Sequence, residues 1–263
     1  MKLRKYFKLT HDQHASDLFL ATGTQPRARI DGVIHALSDE KVSSEEMEEL
    51  VNTFLTAASQ KEQYCEKRDI DFIYVDPEVG RFRVNLFFQR GNHAMVARYV
   101  RNKAVSFSDL GLPVELLERF CQEPRGLILA CGPAESGKTT TIASMIDYIN
   151  EREEKHIITL EDPIEYLFEN KKSIINQREF DIDFFSYPKA LRHATQQSPD
   201  IIFIGTIRDE ETMRAALVAA ELGTLVFATF HTNNAVQTVE RIINFFPPYL
   251  HAEVSLQLSL LLK

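Results

Sequence analysis

The chain has little cysteine, glycine or proline and no long hydrophobic run. Its 263 residues include three cysteines without C-x-x-C spacing. A disulfide framework or zinc site is therefore not expected, and a reducing cytosol fits better. Ten glycines and ten prolines are below average use, which predicts short loops. No stretch approaches the ~18–20 apolar residues of a membrane helix, so any membrane association would be peripheral.

Positive charge is also in deficit. Lys and Arg number 30 against 38 Asp and Glu, a net charge of -8. Proteins that coat nucleic acid normally carry the opposite sign, so nucleic acid is not an expected partner. The N-terminus reaches polar residues before any apolar run and is not expected to be a signal peptide. Hydrophobic residues at 44% and charged residues at 26% exclude a wholly disordered or fibrous protein.

The first part of the chain, residues 1–101, alternates short strand and helix patterns. A hairpin is predicted at Asp31-Gly32, and an apolar helical period covers residues 43–59. Alternating polar and apolar residues predict further strands of a small sheet at 70–75, 81–88 and 94–101. Residues 102–113 are polar and end in a Gly-Leu-Pro turn, so they are predicted to be a linker.

From residue 114 onward, continuous apolar strands alternate with longer helices. Such strands are typical of a mostly parallel sheet covered on both faces. The predicted strands are 126–132, 156–160, 201–205 and 224–229. The predicted helices are 139–150, 186–196, 210–222 and 235–245. This pattern predicts an α/β domain over residues 114–263.

A phosphate-binding loop follows the first of these strands. The segment Gly132-Pro-Ala-Glu-Ser-Gly-Lys-Thr matches the pattern G-x-x-x-x-G-K-[ST] between a strand and a helix. The glycines allow backbone N–H groups to surround a phosphate, and the helix directs its positive end at the anion. Lys138 can reach the β- and γ-phosphates, and the Thr139 hydroxyl can bind Mg²⁺. The loop therefore predicts ATP binding with Mg²⁺, and the acidic Glu135 inside it is expected to face solvent.

An acidic segment, Leu160-Glu-Asp-Pro-Ile-Glu-Tyr, follows the second strand. Glu161, Asp162 and Glu165 are expected near the strand's carboxyl end, where open α/β sheets bind ligands. Carboxylates there can hold water around Mg²⁺ or orient the water that attacks the γ-phosphate. The alternative is a solvated acidic turn; the phosphate loop upstream favours the functional interpretation.

The third strand ends at Thr206, which we expect at the tip of the strand beside the phosphate-loop strand. A P-loop ATPase normally has an acidic residue at this point. A hydroxyl of ordinary acidity cannot take a proton from water at pH 7, although it can hydrogen-bond to water around the metal. Asp209 can substitute only if the backbone turns back.

These motifs together resemble the type IV pilus retraction ATPases of the secretion ATPase superfamily, over nearly the whole chain. The matching segments include Ala15-Ser-Asp-Leu, Arg81-Phe-Arg-Val-Asn, Gly132-Pro-x-x-Ser-Gly-Lys-Thr-Thr-Thr, Ile175-Asn-Gln-Arg-Glu, Gly205-x-x-Arg-Asp-x-Glu-Thr and His231-Thr-Asn. Arg241-Ile-Ile-Asn-Phe-Phe-Pro favours the PilU branch, whereas the segment at Ile175 suits the PilT branch as well.

The resemblance implies a PAS-like N-terminal domain, a RecA-like ATPase domain and ATP between them. It also implies a cytoplasmic homo-hexamer that is peripheral to the inner membrane at the base of a pilus machine. Its implied partners are the inner-membrane platform protein and a paralogous retraction ATPase. The family has a helical C-terminal region beyond residue 263; the sequence leaves open whether this chain is truncated or a natural short form.

The resemblance assigns roles by motif position. The residues implied to bind nucleotide are Gly132, Pro133, Ser136, Gly137, Lys138, Thr139, Thr140, Arg83, Arg90 and Arg98. Thr139 and Asp162 are implied to hold the metal. The residues implied to act in hydrolysis are Glu161, Glu165, Thr206 and His231.

Two departures from the family pattern bear on hydrolysis. Thr206 stands where the family has a glutamate, and Thr224 stands where it has a second histidine. Both positions are expected near the γ-phosphate, where general-base help contributes typically 10²–10⁴ in rate. We therefore expect ATP binding with slow or absent turnover. The alternative is a poorly hydrolysing subunit that assists an active paralogue.

Overall fold

Two units make up the chain, Met1–Asn102 and Lys103–Lys263. The computed structural model describes residues 2–100, 104–133 and 136–263. Within those residues no helix is both long and apolar enough to cross a membrane.

The predicted linker, residues 102–113, packs against the second unit where it is described. Phe107 is buried in the core of that unit. The hydroxyl of Ser144 donates a hydrogen bond to the carbonyl of Val105. The segment is therefore held by both an apolar and a polar contact.

The first unit is an antiparallel sheet with helices. Its elements are α1 (Arg4–Asp12), β1 (Asp17–Ala21), β2 (Arg27–Ile30), β3 (Val33–Ala36), α2 (Ser44–Phe54), α3 (Ala58–Lys67), β4 (Asp69–Asp76), β5 (Gly80–Gln89) and β6 (Asn92–Val100). The strands pair in the order β3-β2-β1-β6-β5-β4, and all these pairings are antiparallel.

Alternation along the strands separates the core of the first unit from a polar face. Leu18 and Leu20 of β1 and Phe82 of β5 are buried, and they join a cluster with Phe7 of α1 and Leu50 of α2. The Phe7 and Phe82 rings meet edge to face, with their centroids 4.9 Å apart. This packing fixes the register, because a one-residue slip would move the apolar set to the other face.

The predicted helix over residues 43–59 ends earlier than expected, at Phe54, and a second helix begins at Ala58. Ser43 caps the first through a capping box with Glu46. Leu55 leaves the helical conformation, with φ -91° and ψ 83°, and so ends α2. The second helix, α3, was not predicted because its side chains are mostly polar and, among those whose burial is described, only Tyr64 is deeply buried.

The second unit is a parallel sheet covered by helices on both faces. Its elements are α4 (Val114–Cys121), β7 (Gly126–Cys131), α5 (Lys138–Arg152), β8 (His156–Glu161), β9 (Ile174–Glu179), α6 (Tyr187–Ala194), β10 (Ile201–Ile204), α7 (Glu210–Glu221), β11 (Leu225–Phe230), α8 (Ala235–Phe245) and α9 (His251–Leu261). The sheet order is β7-β11-β10-β8-β9, and all these pairings are parallel.

Neighbouring residues of each central strand belong to different core clusters. Val226 of β11 lies in one cluster and Phe227 in another. Burial on both faces explains the continuous apolar runs in the sequence. The predicted fold class, an α+β PAS-like unit followed by a RecA-like unit with a mostly parallel sheet, is confirmed.

The predicted neighbour of the phosphate-loop strand is wrong. We expected β10, which precedes Thr206, to lie beside β7. In the structure β11 lies between them, since Phe227 pairs with Ile128 of β7 on one side and with Phe203 of β10 on the other. After α7 the chain returns to the position between β7 and β10. The local pattern of apolar residues does not predict this strand order.

Phe82→Ala is predicted to destabilise the first unit by about 3–5 kcal/mol, because it leaves a cavity in a fully buried position. Val75→Ala on the adjacent strand, where the side chain is 62% exposed, is the matched control and should change little. Urea unfolding of both variants measures the effect. Equal midpoints for the two variants would contradict the packing described above.

Candidate functional site

The phosphate loop joins β7 to α5 with little room for side chains. A Cβ atom added to Gly132 would lie 2.5 Å from Ser136 Oγ, so only glycine fits there. Gly137 has a φ of +87°, a left-handed conformation that favours glycine. Ala134 and Glu135, including the expectation that Glu135 faces solvent, lie outside the described residues.

The amino end of α5 is arranged for an anion. No side chain among the described residues caps this helix end, so its first N–H groups and the helix dipole are directed at the loop. Lys138 is 8% exposed, and its ammonium donates to the carbonyl of Pro133. Ser136 Oγ donates to the same carbonyl at 2.8 Å. The loop thus places a cation beside a helix terminus.

The first turn of α5 contacts the acidic segment directly. Thr139 Oγ1 donates to Glu165 Oε1 at 3.3 Å. Thr140 Oγ1 lies 3.0 Å from the hydroxyl of Tyr166. The structure therefore brings the predicted metal-binding hydroxyl and one predicted carboxylate together, as the sequence motifs suggested.

The three predicted carboxylates have different surroundings. Glu161 ends β8 and is only 3% exposed. Asp162 accepts from Arg208 Nη1 at 3.3 Å. Glu165 is exposed and faces Thr139. Glu161 lies at the carboxyl end of β8, as we expected, but its side chain is buried there and not open to a ligand.

Glu161 is a buried carboxyl with two donors. Thr159 Oγ1 donates to its Oε1 at 2.6 Å, and Gln177 Nε2 donates to the same oxygen at 3.3 Å. Burial raises the pKa of Glu161 to about 7, and the charge of Glu165 adds to that shift while the two hydrogen bonds oppose it. Its proton is therefore exchanged near neutral pH.

The strand tips beside Glu161 approach closely because Gly205 has no side chain. A Cβ atom on Gly205 would lie 3.2 Å from Glu161 Cα and 3.3 Å from the Leu160 carbonyl oxygen. The Gly205 N–H donates to that carbonyl at 2.8 Å. This contact fixes the position of the next residue, Thr206.

The hydroxyl of Thr206 is occupied by its own strand end. It donates to the Gly205 carbonyl at 2.7 Å and lies 3.1 Å from Thr229 Oγ1. Thr229 also donates to the Gly205 carbonyl. The predicted substitute, Asp209, instead caps α7, because its carboxylate accepts from the Thr212 N–H at 2.8 Å. The backbone does not turn back at Asp209.

His231 directly follows β11. Partial burial lowers the pKa of His231, and the positive charges of Lys138, Arg208 and Arg241 lower it further. This imidazole is therefore neutral at pH 7. His231 lies on the phosphate-loop side of the sheet, because the residue before it, Phe230, pairs with Cys131 at the end of β7.

Thr224 lies at the amino end of the parallel strands, opposite the end that carries the phosphate loop. It precedes β11, and its carbonyl accepts from the N–H of Gly126 at the start of β7. The phosphate loop follows the other end of β7, roughly 20 Å away at ~3.3 Å per residue. The expectation that Thr224 lies near the γ-phosphate is therefore wrong within one chain.

The three predicted arginines belong to the first unit. Arg83 of β5 pairs directly with Arg98 of β6. Arg98 Nε donates to the buried carboxylate of Asp17 at 2.9 Å. Arg90 is exposed in the turn between the strands, with a φ of +52°. Their contact with a nucleotide stays a prediction.

Sequence reasoning missed three polar residues of the site. Thr159, Tyr166 and Gln177 hydrogen-bond to the acidic segment or to α5. Gln177 lies in the segment Ile175-Asn-Gln-Arg-Glu, which was used only as a family match. A prediction of β9 would have pointed to Gln177, but β9 is an edge strand with polar side chains and lacks the apolar run that marks the central strands.

The donor set at the loop fits Mg²⁺. A hydroxyl at Thr139 and a carboxylate at Glu165 are the hard oxygen ligands that Mg²⁺ uses together with phosphates and water. The described residues contain no group of three or more His, Cys, Asp and Glu side chains that could hold a metal alone.

Glu161→Gln is predicted to remove a pH dependence of stability. The pKa of Glu161 is the ordinary 4.5 in the unfolded chain and about 7 in the fold. The contribution of this carboxyl group to the stability of the fold is therefore fully present below pH 4.5. It is lost as the pH rises through 7, by about 3 kcal/mol. The variant should therefore gain stability relative to wild type between pH 5 and 8.

Urea unfolding across that pH range measures the difference. Glu169→Gln, an exposed change in the same segment, is the control and should follow the wild type. A constant difference between Glu161→Gln and wild type at all pH values would contradict the burial of a titrating Glu161.

Known proteins are similar to this chain in sequence and in structure. A profile of the family described as Type II/IV secretion system protein matches residues 3–260. The type IV pilus retraction ATPase PilT of Pseudomonas aeruginosa is 39% identical over 259 residues, which cover 98% of this chain and 75% of PilT. The type IV pilus ATPase PilU of that organism is 37% identical over 263 residues, covering 100% of this chain and 68% of PilU.

Among solved structures, a crystal structure of the pilus retraction motor PilT with bound ADP is similar to this chain, with a TM-score of 0.91. The two are 44% identical in sequence, and the match covers 100% of this chain and 76% of that one. The similarity extends over both units of the present chain.

Proposed function

This chain belongs to the Type II/IV secretion system protein family, and from that membership we propose that it is a motor subunit of a type IV pilus retraction machine. ATPases of this family hydrolyse ATP, and the chain is one of them. The motor role is supported by the likeness to PilT and PilU. The observation that carries the proposal is the contact between Thr139 and Glu165, which joins the phosphate loop to the acidic segment.

ATP would bind through the loop backbone and its cations. The N–H groups at the start of α5 would donate hydrogen bonds to the phosphates. The residues of this cradle would be Gly132, Pro133, Ser136, Gly137, Lys138, Thr139 and Thr140. Thr139 would hold Mg²⁺, and Glu165 and Asp162 would hold water around it. The metal would neutralise charge that develops on the phosphates.

Hydrolysis would depend on Glu165 and His231. Glu165 is exposed beside Thr139 and would orient water, whereas Glu161 is buried and would support the structure around it. His231, neutral at pH 7, would donate or accept a hydrogen bond at the γ-phosphate. Thr206 offers no carboxylate and its hydroxyl bonds to Gly205, so hydrolysis would be slow. Thr224 would not contribute to hydrolysis within one chain, because it lies at the opposite end of the strands from the phosphate loop.

The hydroxyl of Thr206, in place of a carboxylate, also favours a second function. A subunit that binds ATP but hydrolyses it poorly would assist an active paralogue rather than drive retraction alone. Either function would place the chain in a cytoplasmic homo-hexamer, peripheral to the inner membrane and in contact with a platform protein. Arg83, Arg90 and Arg98 would then contribute to phosphate binding. The net charge of -8 argues against a nucleic-acid motor.

Lys138→Ala is predicted to abolish ATP binding, because it removes the cation that reaches the β- and γ-phosphates. Lys155→Ala, just before β8, is the control and should bind like the wild type. Titration with a fluorescent ATP analogue measures both. A host strain carrying Lys138→Ala in place of the wild type should lose pilus retraction, and full retraction would contradict the motor role.

Thr206→Glu is predicted to raise phosphate release by about 10² or more, because it supplies the missing carboxylate. The affinity for ATP should stay within about threefold, since the loop is unchanged. Thr206→Gln, of equal size and without charge, should give no rise. Steady-state phosphate release measures all three proteins. Wild-type turnover that Thr206→Glu leaves unchanged would contradict the proposal that position 206 limits hydrolysis.

A further inference from the structure

Gln177 lies on β9, the edge strand nearest the acidic segment. Its amide makes three hydrogen bonds to that part of the chain. Oε1 accepts from the Phe168 N–H at 2.9 Å, and Nε2 donates to the Tyr166 carbonyl at 2.7 Å and to Glu161 Oε1 at 3.3 Å. One side chain thus holds points on both sides of Glu165.

A second residue of β9 extends the same pattern. Glu179, two positions after Gln177, accepts from the Ile164 N–H at 3.2 Å. Alternate residues of a strand point to the same face, so β9 presents a pair of side chains to the segment between β8 and itself. The segment is therefore held at Ile164, Tyr166 and Phe168 from one strand.

Tyr166 is bound from two directions. Its backbone carbonyl accepts from Gln177, and its hydroxyl lies 3.0 Å from Thr140 Oγ1 on α5. The ring is buried, at 4% exposure. Since Glu165 is its neighbour in sequence, fixing Tyr166 fixes where the carboxylate of Glu165 can reach.

We propose that Gln177 is a positioning residue, which holds the acidic segment so that Glu165 faces Thr139 at the phosphate loop. This proposal rests on the proposed function, in which Glu165 holds water around Mg²⁺. A neutral amide is suited to the task because it donates and accepts at once. A carboxylate at this position would keep only the bond from Phe168 and would lose both donated bonds.

Gln177→Met is the direct test, because methionine has similar length and none of the three hydrogen bonds. The gain in ATP affinity from Mg²⁺ should be roughly tenfold smaller in this variant than in wild type. Loss of a residue that orients metal-site groups typically lowers metal affinity about 10–100-fold. Affinity for ADP in EDTA should stay within about twofold, because the loop itself is untouched. Gln197→Met, at an exposed position, is the matched control and should behave as wild type.

Gln177→Glu separates positioning from simple packing. The protonated side chain can donate to the Tyr166 carbonyl, whereas the charged one cannot. The effect of Mg²⁺ on ATP affinity in this variant should therefore recover as the pH is lowered, beyond any change seen in wild type. A structural defect of the fold would give no such recovery.

Amide exchange at Phe168 gives a readout that needs no nucleotide. Gln177→Met should exchange this proton at least about tenfold faster, and Gln197→Met should not. An unchanged effect of Mg²⁺, or an equal loss of ADP affinity in EDTA, would overturn the positioning role. If wild type binds no ATP, the proposed function falls, and unchanged exchange at Phe168 would overturn the placement of the segment by Gln177 separately.

Discussion

The second unit depends on the contact between the first turn of α5 and the acidic segment after β8. The phosphate loop alone can cradle an anion, but a metal–nucleotide site needs oxygen ligands on a second element. The bonds from Thr139 to Glu165 and from Thr140 to Tyr166 supply that link. β9 holds the segment from its other side, so one helix and one strand, α5 and β9, both contact this short segment.

Burial divides the work among carboxylates that look alike in sequence. Glu161 is enclosed by Thr159 and Gln177 and has a pKa near 7, so it suits an internal hydrogen-bond network. Glu165 is exposed and can meet a hydrated metal. Thr206 matters because it stands where the family has a glutamate, and among the described residues no other carboxylate takes that place. The Thr206 hydroxyl bonds to the Gly205 carbonyl, and Asp209 caps α7.

Local signals in the sequence were enough for the loop, the buried strands and the α/β pattern of the second unit, whereas the PAS-like first unit was implied by the family resemblance. The phosphate loop could be predicted because each of its residues has a local reason to be there. Strand order could not, since the insertion of β11 between β7 and β10 is a long-range property. The same limit misplaced Thr224, whose distance from the loop follows from the direction of β11. Gln177 was missed because a polar edge strand has no apolar period.

We propose that Glu165 and Thr139 together form the metal side of the nucleotide site. Measuring ATP affinity with and without Mg²⁺ for Glu165→Gln tests it most directly, with Glu169→Gln as the exposed control in the same segment. In Glu165→Gln the gain in ATP affinity from Mg²⁺ is expected to be roughly tenfold smaller than in wild type, while the affinity in EDTA is unchanged. An undiminished gain from Mg²⁺ in Glu165→Gln would contradict it.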